Sequence, residues 1–215
     1  MPLRPLRAHT PMRPLSLLRT AAVCLTLPLL LPPAVQAGTT DRYVALDARG
    51  KPTAPRSGAR PHPCVLDTAT GLIWEVKTDD GGPADKDWTF TWFASRPDAY
   101  DKNVGYLDGG RCAAKVRCDT EGYVAAANRR GLCGFRDWRL PGADELEGLL
   151  RPDMAGAKID ARFFPNTQAN YYWTGSYVPT ETGGALFVSF DLGMVLLGNS
   201  ASAANVRLVR GPDKK

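Results

Sequence analysis

Cys133-Gly-Phe-Arg-Asp-Trp-Arg-Leu-Pro141 constrains this chain more than any other stretch. Pro141 restricts the backbone, and Glu145-Leu146 just beyond it begin a helical pattern, so a fixed turn must lead into a helix here. Two readings fit Asp137, Trp138, Arg139 and Pro141. As a polar site, Asp137 and Arg139 would flank Trp138 as a stacking platform. As a structural turn, Trp138 is buried and the charges pair to brace the helix start. The proline and the helix behind it favour the structural turn.

What anchors Cys133 depends on compartment. Arg4, Arg7, Arg13 and Arg19 precede an uncharged apolar run over residues 21–31, and Val35-Gln-Ala37 offers small residues for cleavage. This pattern predicts a signal peptide over residues 1–37 and an exported protein that is periplasmic, secreted or at the cell surface. The apolar run is about half a membrane span and is broken by prolines, so no transmembrane segment is expected in the mature protein. Val23 stands where a lipid-anchor site at Cys24 would need a small residue. With the four arginines gone, the net charge falls from +5 to the +1 of 23 basic and 22 acidic residues. A nucleic-acid partner, which needs concentrated basic surface, loses its main support.

Export leaves Cys64, Cys112, Cys118 and Cys133, which read as two disulfides with three possible connectivities. Cys112–Cys118 with Cys64–Cys133 is the favoured pairing. The first closes a short loop, and the second ties the start of the domain to the turn above. Cys-x5-Cys without a nearby histidine fits zinc poorly, so no metal site is expected.

The 178 mature residues suffice for one domain with a real core. Residues 43–47 can form a strand, but residues 38–63 as a whole, rich in Gly, Pro and Arg, read as a lead-in or linker. Cys64-Val-Leu-Asp67 and Leu72-Ile-Trp-Glu-Val-Lys77 flank a turn sequence and predict a hairpin. Trp88-Thr-Phe-Thr-Trp92 alternates like a half-buried strand. Residues 100–118 read as a long loop. Asp119 is an N-cap for a helix that Gly131 ends, and a second helix after Pro141 carries Leu146, Leu149 and Leu150 on one face. Strands are expected at 171–174, 186–190, 194–197 and 206–209. Strands, two helices, then strands make an α+β pattern: two helices on short antiparallel sheets with long loops.

Taken in order, several motifs resemble one family. They are Cys64-Val-Leu-Asp67 with Thr70-Gly71 and Trp74, Trp88 to Trp92, Cys112 and Cys118-Asp-Thr120. Asn128 with Gly131-Leu-Cys-Gly134, Asp137 to Pro141, Ile159-Asp160 with Phe163-Phe-Pro165, Tyr172-Trp-Thr174 and Val206 to Arg210 complete the series. They are similar to the Lcl C-terminal domain of exported bacterial proteins over residues 64–211, leaving 212–215 as a tail. The resemblance implies a C-type-lectin-like fold, distantly similar to formylglycine-generating enzymes. The family takes its name from a collagen-like adhesin that binds sulfated glycosaminoglycans. It therefore implies adhesion or glycan recognition, with a polysaccharide or a host or envelope glycan as partner. Gly142 stands where the family has Thr, a weaker cap, and no collagen-like stalk is present.

The expected role is a non-enzymatic binding module. The alternatives are an enzyme of formylglycine-generating or glycoside-hydrolase type, and a structural envelope protein. Among the aromatics, Tyr171 and Tyr172 must face opposite ways in a strand, which makes Tyr171 a ligand-contact candidate. Arg207 is a second ligand candidate, expected to be exposed opposite Val206; with Arg210, Lys214 and Lys215 it could meet an acidic polysaccharide. Asp79, Asp80, Asp85, Asp87, Asp101 and Asp108 sit in Gly-containing loops. Calcium is weighed for them and no cofactor is expected, because no EF-hand spacing appears. His62, between prolines, reads as a flexible linker residue rather than a general base.

Overall fold

The computed structural model describes residues 41–95, 102–180 and 184–211. The expected signal peptide over residues 1–37, Asp101, Lys214, Lys215 and the rest of the 212–215 tail lie outside them. The fold is α+β, with two sheets of four strands and a two-stranded ladder. Strands β1 (Tyr43–Leu46), β2 (Cys64–Asp67) and β3 (Ile73–Glu75) form an antiparallel meander that β10 (Val209–Arg210) joins beside β3. The β2–β3 turn is set by Asp67, whose carbonyl accepts the Gly71 N–H while its side chain accepts the Ala69 N–H. Gly71 takes a left-handed φ of 74° there.

The ladder joins β4 (Phe93–Ala94) to β5 (Val104–Gly105). Helix α1 (Thr120–Arg130) begins at Asp119, whose side chain accepts the Gly122 N–H, and ends at Gly131 in the left-handed region. Helix α2 (Ala143–Glu147) is shorter than the leucine spacing predicts. Its last turn tightens past Gly148, where the Leu149 and Leu150 N–H groups bond three residues back. The second sheet runs β8 (Met194–Asn199), β7 (Gly184–Ser189), β6 (Tyr171–Val178), β9 (Asn205–Val206), with β9 parallel to β6. Residues 88–92 form isolated bridges rather than a strand of their own.

Both sheets carry core on both faces. Cys64 and Leu66 of β2 face one apolar cluster, and Val65 faces the other. Tyr172 and Trp173 of β6 divide in the same way. Helix α1 supplies Tyr123 and Ala127 to the first cluster, and α2 supplies Leu146 to the second. An aromatic-rich strand is therefore buried on each side rather than alternating with solvent.

The strand expected at 43–47 forms as β1, and the irregular lead-in after it is packed on the domain. Tyr43, Ala45, Leu46 and His62 are all buried, and β1 pairs along its length with β2. Gly50 approaches Phe135 and the Cys133 carbonyl so closely that a Cβ would meet them at 2.9 and 3.0 Å. Irregular composition here marks packed coil. Disulfides Cys64–Cys133 and Cys112–Cys118 close as favoured. Trp138 is buried, its indole donating to the Leu132 carbonyl and its N–H to Asn128. Arg139 clamps Glu145 at 2.7 and 3.0 Å, while Arg210 clamps Asp137 at 2.8 Å. Each charge of the 133–141 stretch thus has a partner outside it.

Candidate functional site

Two hollows are lined in part by β6. The first, about 320 Å³, is lined by Phe93, Ser95, Glu121, Val124, Leu140 and Gly175. The second, about 310 Å³, is lined by Gly142, Ala143, Asp144, Ser176 and Leu186. The turn after Arg139 is held against β6, with the Gly175 N–H donating to the Pro141 carbonyl at 2.8 Å. The ladder with β7 shifts register between Trp173 and Tyr177, a bulge that re-aims Gly175 and Ser176. Ser176 Oγ accepts the Ala143 N–H at 3.3 Å, a helix-start contact that the glycine at 142 cannot supply.

In the first hollow, the Glu121 carboxylate accepts the Ser95 N–H at 2.7 Å and the Ser95 hydroxyl at 2.9 Å. Two donors leave part of a carboxylate's acceptor capacity open, and the Glu121 side chain is 38% exposed. Among the described residues Arg117 pairs with Glu121 at 3.7 Å, but it is clamped on Asp119 at 2.6 and 3.1 Å. Arg117, Asp119 and Glu121 together carry a formal charge of −1. Phe93, Val124 and Leu140 give this hollow an apolar side. In the second hollow Arg139 is spent on Glu145, and exposed Asp144 has no ion pair among the described residues. That group too sums to −1.

A second polar group lies in the core. Glu75 accepts the Tyr123 hydroxyl, the Lys77 ammonium at 3.4 Å and the Leu208 N–H at 3.0 Å. Lys77 also donates to Tyr123 at 3.0 Å. Arg207 donates to the Glu75 carbonyl and to Thr167 Oγ1, each at 2.7 Å, with Phe164 under its guanidinium. All four side chains are buried. Burial pushes the Lys77 ammonium below its usual range and, reinforced by Glu75, pushes the Tyr123 phenol well above its own.

Arg207 as an exposed ligand contact is therefore corrected. The expected strand at 206–209 is split, with β9 in one sheet and β10 in the other. At that crossover the side-chain alternation breaks, and Val206 and Arg207 are both fully buried. His62 is corrected likewise. Its Nε2–H donates to the Phe163 carbonyl at 2.8 Å and its Nδ1 accepts the Arg56 N–H at 3.0 Å. Burial holds its pKa below the ordinary value, against the pull of the Phe163 and Arg56 carbonyls beside its two ring nitrogens.

Tyr171 lies at the exposed end of β6, 39% accessible, with its ring 4.6 Å from Phe187; Tyr172 faces inward and is buried. Tyr171 lines neither hollow. Of the loop aspartates, Asp79, Asp85 and Asp87 converge within 4.8 Å. Lys86 bridges Asp79 and Asp87 at 3.2 and 2.9 Å, and Asp85 accepts the N–H groups of Asp80, Gly81 and Asp87. Asp80 pairs with Arg60, and Asp108 accepts the Cys118 N–H. The loop charges are met by the protein itself.

Sequence reasoning missed Ser95, Glu121, Asp144 and Ser176. Glu121 and Asp144 read as ordinary first-turn acids suited to a helix dipole, and no local signal marks the serines. No curated protein and no solved structure matches this chain. A family model, the Lcl C-terminal domain, matches residues 63–210. The chain belongs to the Lcl C-terminal domain family.

Proposed function

We propose that this protein is an exported, non-enzymatic binding module of the periplasm or cell surface that recognises a glycan through the two hollows along β6. The reading rests on one observation above all: two hollows of similar size are each lined in part by β6, and each combines an accessible carboxylate with a serine or helix-start group. Their size suits small-ligand recognition. A sugar ring suits the first hollow, with its C–H face on Phe93, Val124 and Leu140 and its hydroxyls toward Ser95 and Glu121; Asp144 and Ser176 offer polar partners in the second. The family resemblance supports adhesion and a C-type-lectin-like reading of the fold. Closure of Cys64, Cys112, Cys118 and Cys133 in disulfides supports a module without thiol chemistry.

A glycan array probed with and without calcium tests the reading. Binding by the intact protein, unchanged by chelation, is the expected result. A Cβ at Gly175 would make only ordinary contact, 3.5 Å from the Leu140 Cβ. Gly175→Val should therefore fold, narrow the first hollow and lose most of the signal. An array blank under both conditions would end the glycan reading. Undiminished binding by Gly175→Val would move the site elsewhere.

A further inference from the structure

Residues 38–215 carry a net charge of only +1, but that charge is not evenly spread. The turn over residues 47–51 is closed by the Asp47 N–H donating to the Lys51 carbonyl at 2.8 Å. Gly50 lets this turn pack on Phe135 and the Cys133 carbonyl, because it has no Cβ to meet them. Exposed Arg49 and Lys51 thereby arrive at the C-terminal end of α1, where Arg129, Arg130 and Arg136 are exposed as well. Arg136 fixes the junction, donating to the Asn128 and Arg129 carbonyls at 3.2 and 2.9 Å. None of these five cations has an ion pair among the described residues. Arg210, forked onto Asp137 and 4.1 Å above the Phe135 ring, is the sixth. Against them stand two carboxylates, Asp47 and Asp137, so this corner carries a formal +4. Residues 212–215, which follow Arg210 closely in sequence, bring one acid and two lysines.

Part of this charge serves the fold. Arg129 and Arg130 suit the negative end of the α1 dipole, and Arg136 caps its carbonyls. Arg49 and Lys51 serve neither purpose. They come from a distant part of the chain, and their side chains make no hydrogen bond among the described residues. Setting them beside other cations costs stability through repulsion, which a negatively charged partner would relieve. We infer that this corner is a docking surface for an anionic lipid layer, met through its phosphates. Five of the six cations are arginines, whose planar fork matches phosphate oxygens two at a time. A cluster of this size is what an anionic membrane surface attracts. None of the six lines either hollow, as suits a layer of many phosphates rather than one enclosed anion. Phe135 is covered by Arg210 and by the Gly50 turn, so it offers no ring face to a sugar. Helix α1 separates this corner from the first hollow, with about 12 Å along its axis from Glu121 to Arg129. Docking at one end of the helix leaves the hollow at the other end open.

Co-sedimentation with phosphatidylcholine vesicles, with and without phosphatidylglycerol, tests the inference at low and at physiological salt. The proteins are the full exported chain, Arg49→Gln, Lys51→Gln, Arg129→Gln, the triple variant and a control, Lys115→Gln. Lys115 is exposed in the loop before the opposite end of α1. The wild type should bind only the anionic vesicles, less strongly as salt rises. Each single substitution at the corner should weaken binding by about fivefold and the triple variant by about a hundredfold. Lys115→Gln should leave it unchanged. The corner variants should melt no lower than the wild type, which separates lost binding from lost folding. A lower melting temperature would show that these side chains serve the fold, against the inference. Equal binding to both vesicle types, or undiminished binding by the triple variant, would overturn it. So would binding to heparin without binding to vesicles, which would assign the corner to an acidic polysaccharide.

Discussion

Glu75 and Glu121 are the same side chain put to opposite uses. Glu75, on β3, is closed on every side by Tyr123, Lys77 and the Leu208 N–H. Glu121, on the first turn of α1, is held from one side by Ser95 and faces a hollow on the other. Tyr123 joins the two regions, because it sits two residues along the same helix and points inward where Glu121 points out. The contrast shows where to look for function in a chain whose polar residues seldom announce it. Saturated polar groups hold the fold, and the accessible ones with unused acceptor capacity can meet a ligand.

The largest effects should come from opening the closed cluster. Glu75→Ala leaves Lys77 and Tyr123 without their acceptor in the core, and losses of roughly 3–5 kcal/mol are typical when one partner of a buried charge network goes. Urea denaturation followed by circular dichroism measures it. A loss under about 1 kcal/mol would mean that water relieves the cluster, and the distinction drawn here would fail.

Disulfides rank next. Cys64 and Cys133 are 69 residues apart and Cys112 and Cys118 only 6. Chain entropy then assigns about 4 kcal/mol to the first bridge and about 2 kcal/mol to the second. The paired Cys→Ser variants should fall in that order of unfolding midpoint. The short bridge costing more would show that it holds native structure and not merely loop entropy.

His62 gives a smaller, pH-dependent effect. Its folded pKa lies below the ordinary 6.5, because burial disfavours the imidazolium. The unfolded chain thus takes up a proton that the folded one refuses. The stabilising contribution is complete above about pH 6.5 and declines as pH falls from there toward the folded value. Melting temperature measured from pH 7.5 to 5 should fall less in His62→Gln than in the wild type. Parallel curves would place the acid sensitivity elsewhere.

The smallest change in stability is expected at Glu121. Glu121→Gln should move the unfolding free energy by no more than about 0.5 kcal/mol, as for most surface positions. A loss several times larger would make Glu121 part of the scaffold rather than of the binding surface.

Much of the scaffold is legible in the sequence because local chemistry dictates it. Asp119 and Gly131 bracket α1, residues 68–71 close the β2–β3 hairpin, and Cys64, Cys112, Cys118 and Cys133 pair in the favoured way. Failures cluster where nonlocal packing decides. Arg207 is buried because the chain changes sheets beside it, and alternation cannot register that change. His62 lies in a segment whose composition resembles a linker, yet it is buried with its ring on the Phe163 carbonyl. The hollows were illegible for a related reason. Their walls come from β4, α1, the turn after Arg139 and β6, so their residues share no spacing and no motif.

Hydrogen exchange by mass spectrometry, with and without a glycan found to bind on the array, most directly tests the division between closed core and open hollows. Protection should appear at residues 93–95, 120–124, 140–144 and 174–177, with residues 73–77 and 206–208 unchanged. Protection centred instead on Tyr171 and Phe187, or on the loop of Asp79, Asp85 and Asp87, would contradict the assignment of the hollows.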